Sequence, residues 1–319
     1  IINYFFNNSF INNGVFLLEK HLFKSLKKIL IMFDNKMSFS PSNPVHINSC
    51  EFHKVVKRLR EFFELRGFVE VHTQSRLSIL AACEDPTTIS TYNYGGQVWP
   101  LPQTGQMWLE YELLKNPEPN GYFCLSTSFR NEPNPVPGRH DKIFPMFEFE
   151  MKGSMDDMIQ LEKDLLVHMG FGEESTFHED DYNNIAEKYG VTELEHEHEA
   201  KLEEDYGKVF FLKNFPNHTS PFWNMKQYPD GEKAYKVDVI MHGVETIGSA
   251  QRSSNVQEMK DMFYTISDGQ YANILFSNFT KERVEQELND FLSFNFFDRC
   301  GGGIGVTRLI RSMRLSNLM

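Results

Sequence analysis

Four polar side chains crowd one short stretch of the 319-residue chain. Arg130, Glu132, Arg139 and His140 surround the turn NEPNPVPG, between the aromatic-rich segments YFCLSTSFR (122–130) and IFPMFEFEM (143–151). Pro133, Pro135, Pro137 and Gly138 between two strand-like runs predict a long hairpin loop. Planar guanidinium forks suit a polyphosphate. Glu148 and Glu150, two apart on the returning strand, share one face, and paired carboxylates suit a metal or an amine. A solvent-exposed hairpin with surface ion pairs produces the same pattern, and the stretch alone leaves both readings open.

Three further groups could do chemistry. Asp238 and Glu245 stand near the ends of two strand candidates, YKVDVIMH and VETIGSAQR, hinged at Gly243, with Arg252 closing the second. The run CGGGIGVTRL is neither GxxxxGK[ST] nor a GxGxxG opening a βαβ unit, so phosphate-loop and Rossmann readings fail. Glycines in a strand let another group approach the backbone; an adenine or ribose covered by Arg308 would use that, and a plain glycine bulge is the alternative. The HEHE run, His196 to Glu199, sits among thirteen acidic residues and two lysines in 173–205. Histidines at i,i+2 face different ways on a helix, which predicts a solvated acidic helix.

Elements must hold these groups in place. SCEFHKVVKRLREFFELR (49–66) has helical spacing, Gly67 caps it, and FVEVHT alternates as a strand. Short strands are predicted at 89–94 and 98–101 around Gly95–Gly96, and helices at 105–115, 155–171, 256–266 and 281–292. VFFLKNF (209–215) reads as a strand, and the glycine run as a strand entering a helix. Strands in meander order with helices around them predict an α+β fold on an antiparallel sheet.

Composition bounds the rest. Hydrophobic residues make up 40% of the chain and 29 are Phe, enough for a sizeable core. No apolar run reaches the ~20 residues of a membrane helix. Cys50, Cys83, Cys124 and Cys300 form no CxxC, which predicts a reducing, cytoplasmic setting without zinc or disulfides. A net charge of −12 argues against a broad nucleic-acid surface. Residues 1–36 are Asn-, Phe- and Lys-rich with a charge of +3, leaving −15 for the remainder. This predicts a leader outside the fold, a functional start at Met37 or Met32, and a single catalytic domain over 37–319.

FRNE, a loop, then RH…F…E.E, and later GGGIGVTRL, resemble motifs 2 and 3 of class II aminoacyl-tRNA synthetases of the aspartate, asparagine and lysine subgroup. RGFVEVHT, PLPQTGQMWLE and DVIMHGVETIGSAQR occur in the family's order, so the resemblance covers roughly 50–315. It implies a six- or seven-stranded antiparallel sheet with flanking helices, a homodimer, and ATP with Mg²⁺. It implies that Arg130 holds the α-phosphate, Glu132 helps seat the adenine side, Phe144 stacks under the adenine and Arg308 covers its other face. Arg139 and His140 would grip the β- and γ-phosphates, and Asp238 and Glu245 would bind Mg²⁺. Arg130 and Arg308 would thus be the catalytic pair.

For the amino acid, the resemblance assigns the amine to Glu84 with Gln106 nearby, and the side chain to Arg252. Leu109 stands where aspartyl enzymes place a lysine, and Glu110 follows as in the GQLYGE of asparaginyl enzymes, so the pocket leans towards Asn as substrate or product. Departures are Gln74 for the motif 1 proline, Ile143 for the Glu before the stacking Phe, and Thr307 for the Glu before Arg308. The stretch before the first motif is also about half of what an OB-fold anticodon domain needs. Three readings follow. The first is an ammonia-dependent asparagine synthetase adenylating aspartate, similar to the stand-alone archaeal enzyme. The second is a minimal synthetase charging tRNA with Asn or Asp. The third is an inactive binding module.

Overall fold

Asn48 starts the first helix: its side-chain oxygen accepts from the amides of Cys50 and Glu51 at 3.0 and 3.1 Å, as an N-cap does. The helix runs Ser49–Glu64 (α1) and buries Val55, Val56, Leu59, Phe62 and Phe63. This is a computed structural model, and it describes residues 47–74, 77–80, 86–136 and 139–319. The chain forms two units, one of 47–135 with 141–319 and another to which 1–46 and 136–140 belong. The leader therefore lies outside the described residues. Of the second unit Val136, Arg139 and His140 are described; the amides of the last two both donate to the Val136 carbonyl, at 3.1 and 2.9 Å.

After α1 come Phe68–Glu70 (β1) and a separate ribbon of Ser90–Tyr94 (β2) and Gln97–Leu101 (β3). Gly95 and Gly96, at φ 60° and 77°, turn that ribbon, a conformation few other residues adopt. Gln106–Lys115 (α2) precedes the central hairpin, Gly121–Phe129 (β4) and Ile143–Lys152 (β5), paired without a break from Gly121↔Met151 to Phe129↔Ile143. Met155–His168 (α3) follows, then His178–Asp181 (β6), Tyr182–Tyr189 (α4) and His196–Tyr206 (α5) from the acidic stretch. Val209–Pro216 (β7), Lys233–Met241 (β8) and Val244–Arg252 (β9) continue the sheet. Val256–Thr265 (α6), Gln270–Phe279 (α7) and Lys281–Leu292 (α8) lead to Arg299–Gly305 (β10) and Val306–Leu315 (α9). No helix among the described residues is long and apolar enough to cross a membrane.

The main sheet has the order β1-β4-β5-β10-β9-β8-β7-β6. Its inner six strands are antiparallel, as expected, but β1 runs parallel to β4 and β6 parallel to β7. The eight-stranded sheet is thus wider than the resemblance implied, because FVEVHT and the acidic stretch each add an edge. One face carries Phe147, Phe149, Cys300, Ile304, Ile247 and Val239, packed into the core of α1, α3 and α9. Residues of opposite parity, Glu148, Glu150, Gly301, Gly303, Gly248 and Arg252, point to the other face. A second core of Phe222, Trp223, Phe263, Tyr271 and Phe291 gathers α6–α8.

One acid is buried away from this second face. Glu162 on α3 is fully enclosed; burial pushes its carboxyl from 4.5 up to about 8, against the pull of the Ser249 hydroxyl. The folded chain therefore keeps a proton that the unfolded chain releases from about pH 4.5 upward. Stability should fall by ~1.4 kcal/mol per pH unit across that window, levelling near pH 8. Glu162→Gln should remove this slope and unfold at higher denaturant by about 3 kcal/mol at pH 7. Denaturant titrations of both proteins between pH 5 and pH 8 test this, and parallel curves would refute it.

Candidate active site

Glu148 and Glu150 do share one face, but both are engaged inside the protein. Glu148 accepts from the Gly105 amide at 3.0 and 2.9 Å and from the Ser126 hydroxyl at 2.5 Å; Thr104 also donates to it. It thereby anchors the start of α2 and the Gln106 that follows. Glu150 receives the Arg252 fork, Nε at 3.1 Å and Nη2 at 3.2 Å. Burial pushes Glu150 up to about 7, Arg252 pulling it down and Glu110 adding to the rise. The pair is thus an anchor and a counter-ion, and no cluster of three or more His, Cys, Asp or Glu suited to a metal occurs among the described residues.

One glycine of the β10 run is explained by Glu150. A Cβ on Gly301 would lie 2.0 Å from Glu150 Oε2, well inside van der Waals contact. What approaches the backbone there is the carboxylate that reaches across to Arg252.

Around Arg252 the sequence-predicted residues converge. Gln106, with its amide oxygen turned to β10, accepts from the Gly302 amide at 2.9 Å and from Arg252. Glu110 is buried on α2, with Oε1 taking the Asn224 amide at 2.7 Å and Oε2 the Arg299 Nε at 2.8 Å. Asn224 and Arg299 were not singled out from the sequence. One cavity is lined by Gln106, Glu110, Asn224 and Arg252 at one end and by Arg130 and Glu245 at the other. Glu84 lies outside the described residues.

The second end of the cavity is cationic. Arg308, in the first turn of α9, donates through Nη1 to the Glu245 carbonyl at 2.7 Å and pairs with Glu245 Oε2 at 3.3 Å. Burial raises the Glu245 carboxyl, but the charges of Arg308, Lys236 and Arg130 outweigh it and hold the group below the usual range. Lys236 pairs with Asp238 at 3.1 Å. Arg130, just past β4, sets its guanidinium 5.6 Å from the Phe144 ring centroid, within cation–π reach. Glu132 follows two residues on, half-buried. Arg139 and His140 belong to the other unit.

Asp238 and Glu245 meet because of a bulge. The β8–β9 register shifts between Val239 and Ile240, so that Val239 faces Ile247 while Ile240 faces Glu245. The extra residue turns Glu245 towards the site face. A Cβ on Gly248 would stand 2.9 Å from Glu245 Oε1 and 3.6 Å from Asp238 Oδ1, so both carboxylates converge over a residue without a side chain.

The acidic helix has more to do than face solvent. Leu202 of α5 is buried, Glu199 accepts from the Glu245 amide at 3.0 Å, and Glu203 bonds His242 Nδ1 at 2.9 Å. Gly243, at φ 69°, lies so close to Ala200 that a Cβ would come within 2.8 Å of its Cα. The α5 helix therefore clamps the turn that carries Glu245. The three-residue spacing of Ala200 and Glu203, and Glu199 beside them, held that signal; the abundance of neighbouring acids hid it.

The family model for tRNA synthetases class II (D, K and N) matches residues 45–317. The aspartate–tRNA(Asp/Asn) ligase of Methanopyrus kandleri is 26% identical over 227 residues, 62% of this chain and 51% of that protein. The asparagine–tRNA ligase of Koribacter versatilis is 28% identical over 117 residues, 36% of this chain and 25% of that protein. The chain thus spans about half the length of the first of these relatives and less of the second. Asparaginyl-tRNA synthetase from Pyrococcus horikoshii, solved with asparaginyl-adenylate, superposes with a TM-score of 0.66 at 20% identity, over 84% of this chain and 67% of that one. Aspartyl tRNA synthetase from Entamoeba histolytica gives 0.62 at 16% identity, over 98% of this chain and 62% of that one. Both likenesses are of fold.

Proposed function

Because the chain belongs to the class II tRNA synthetases (D, K and N), we propose that it is an ATP-dependent ligase that adenylates aspartate or asparagine. The observation that carries this reading is one cavity joining two chemistries: a buried arginine–amide pocket at Arg252 and Gln106, and a cationic end at Arg130 and Lys236 with an ionised acid. In the reaction an α-carboxylate oxygen of the amino acid bonds to the α-phosphorus while the bond to the β-phosphate oxygen breaks, releasing pyrophosphate. No protein nucleophile is required; fixed positive charge must meet the developing phosphorane oxygens.

Arg130 is assigned to the α-phosphate and Phe144 to the adenine it lies beside, with Glu132 at the base's edge. Arg308 closes the other face of the nucleotide while holding Glu245. Asp238 and Glu245 fit Mg²⁺: two carboxylates converge on Gly248, one is held ionised, and two acids plus phosphate oxygens and water match this ion's preference. When bound, the ion would neutralise charge on the phosphates. Gln106, with Glu84, would orient the amino group, and Arg252 with Glu110 the side chain.

Two acceptors are compatible with the adenylate. Ammonia is supported by the net charge of −12, which disfavours a polyanion; tRNA is supported by what the relatives are named for. Radiolabelled pyrophosphate exchange with ATP, run separately with aspartate and asparagine, tests the adenylation step. Aspartate-dependent exchange, with asparagine formed on adding ammonium, establishes the first acceptor; aminoacylated tRNA establishes the second. Exchange with neither amino acid would refute the reading.

A further inference from the structure

The pocket is built on a buried ladder of alternating charge. Arg252 and Arg299 are direct cross-strand partners on β9 and β10. Glu110 lies between them, with Oε2 2.7 Å from Arg299 Nη2 and Oε1 3.8 Å from Arg252 Nε, and Glu150 completes the series on the far side of Arg252. All four side chains are 4% exposed or less. Arg299 is caged as well: its Nη1 donates to the Ser253 carbonyl at 3.0 Å and its guanidinium lies 4.7 Å from the Phe296 ring. It is absent from the cavity lining and reaches the ligand space through Glu110.

The count of charges has a consequence for the ligand. Once Glu150 has lost its proton, above about pH 7, Arg252 and Arg299 balance Glu110 and Glu150, so under those conditions the side-chain end of the cavity is neutral before anything enters. Leu109, fully buried beside Glu110, adds no charge. Without Arg299 the remaining three groups sum to one negative charge in a site shielded from water, where Coulombic terms are strong. A carboxylate entering there would be repelled, whereas a neutral amide would not.

We propose that Arg299 is the specificity-setting residue that admits an anionic amino-acid side chain to this pocket, by cancelling the charge of Glu110 from behind. The inference rests on the adenylation reading for the identity of the ligand, but its test does not. Arg299→Met should raise the half-saturating concentration of aspartate about 30-fold more than that of asparagine, the effect of one unit charge over roughly 8 Å at an effective dielectric of about 20. Arg299→Lys should restore most of the aspartate affinity. Glu110→Gln should shift the ratio the opposite way by a similar factor, and the Arg299→Met/Glu110→Gln double variant should return it towards that of the parent.

Two readouts are taken on each protein: amino-acid-dependent pyrophosphate exchange, and the rise in melting temperature given by saturating aspartate or asparagine. A structural role alone would weaken both amino acids equally, and equal weakening overturns the proposal. So does a double variant whose ratio stays at the Arg299→Met value. If Arg299→Met does not fold, Glu110→Gln and the double variant still give the opposed and restored ratios. Melting shifts without any exchange in the parent would sink the adenylation reading and leave the ladder tested by the shifts. Neither amino acid raising the melting temperature of the parent would overturn the proposal itself.

Discussion

Arg130→Ala is expected to lower pyrophosphate exchange by about 10²–10³-fold, the usual loss when one preorganised donor to a developing oxyanion is removed. The geometry isolates the effect. The Arg130 amide donates to the Lys142 carbonyl at 2.8 Å, a backbone bond that the substitution leaves in place at the foot of the hairpin. Its guanidinium contributes to keeping Glu245 ionised, and its loss should raise the acid limb of any pH–rate profile as well. A melting temperature close to that of the parent would separate this from unfolding. Near-normal exchange would remove Arg130 from the assigned role.

Arg252→Leu should be felt in two places. It deletes the cation at the centre of the ladder and leaves Glu150 buried opposite an apolar side chain. Breaking a buried pair in this way costs about 3–5 kcal/mol of stability, and the half-saturating amino-acid concentration should rise steeply. On the proposed reading the nucleotide is assigned to Arg130 and Arg308 rather than to Arg252, so ATP affinity should change little. Arg252→Leu combined with Glu150→Gln should recover much of the stability without recovering the amino-acid affinity. Equal loss of ATP and amino-acid affinity in the double variant would mean that the side-chain pocket has been misplaced.

The central hairpin was legible because two aromatic-rich, strand-like runs flank a stretch whose prolines and glycine mark the reversal. Roles for Asp238, Glu245, Gln106, Glu110 and Arg252 were legible only by resemblance; the structure brings Gln106, Glu110, Glu245 and Arg252 to one cavity, with Asp238 close to Glu245 over Gly248. Other features could not be read locally. A strict two-residue period puts Glu245 on the same face as Ile247, and only the bulge reverses it. Arg299 precedes three glycines and follows Phe-rich loop sequence, so nothing in its neighbourhood announces a buried cation; its partner is 189 residues away in sequence. Glu148 looked like half of a metal pair because its partners, Thr104 and Ser126, carry no charge. The helix Gln270–Phe279 was missed because only the short turn Ser267–Asp268–Gly269, all three residues in left-handed conformations, separates it from the helix before.

The bulge between β8 and β9 is also a reserve of length in this hairpin. With Thr246 removed, Glu245 opposite Ile240 and Ile247 opposite Val239 would become consecutive pairs of an unbroken ladder, so the acid would keep its face and the hydrocarbon the other. A residue lost between Ile247 and Arg252 has no such cushion, because it would turn one end of that segment to the wrong side of the sheet. The tip of the β2–β3 ribbon, where Gly95 and Gly96 have open space around them, is under no such constraint. Among descendants of this sequence, length changes should accumulate at that tip or at Thr246 and be purged from the strand between Ile247 and Arg252.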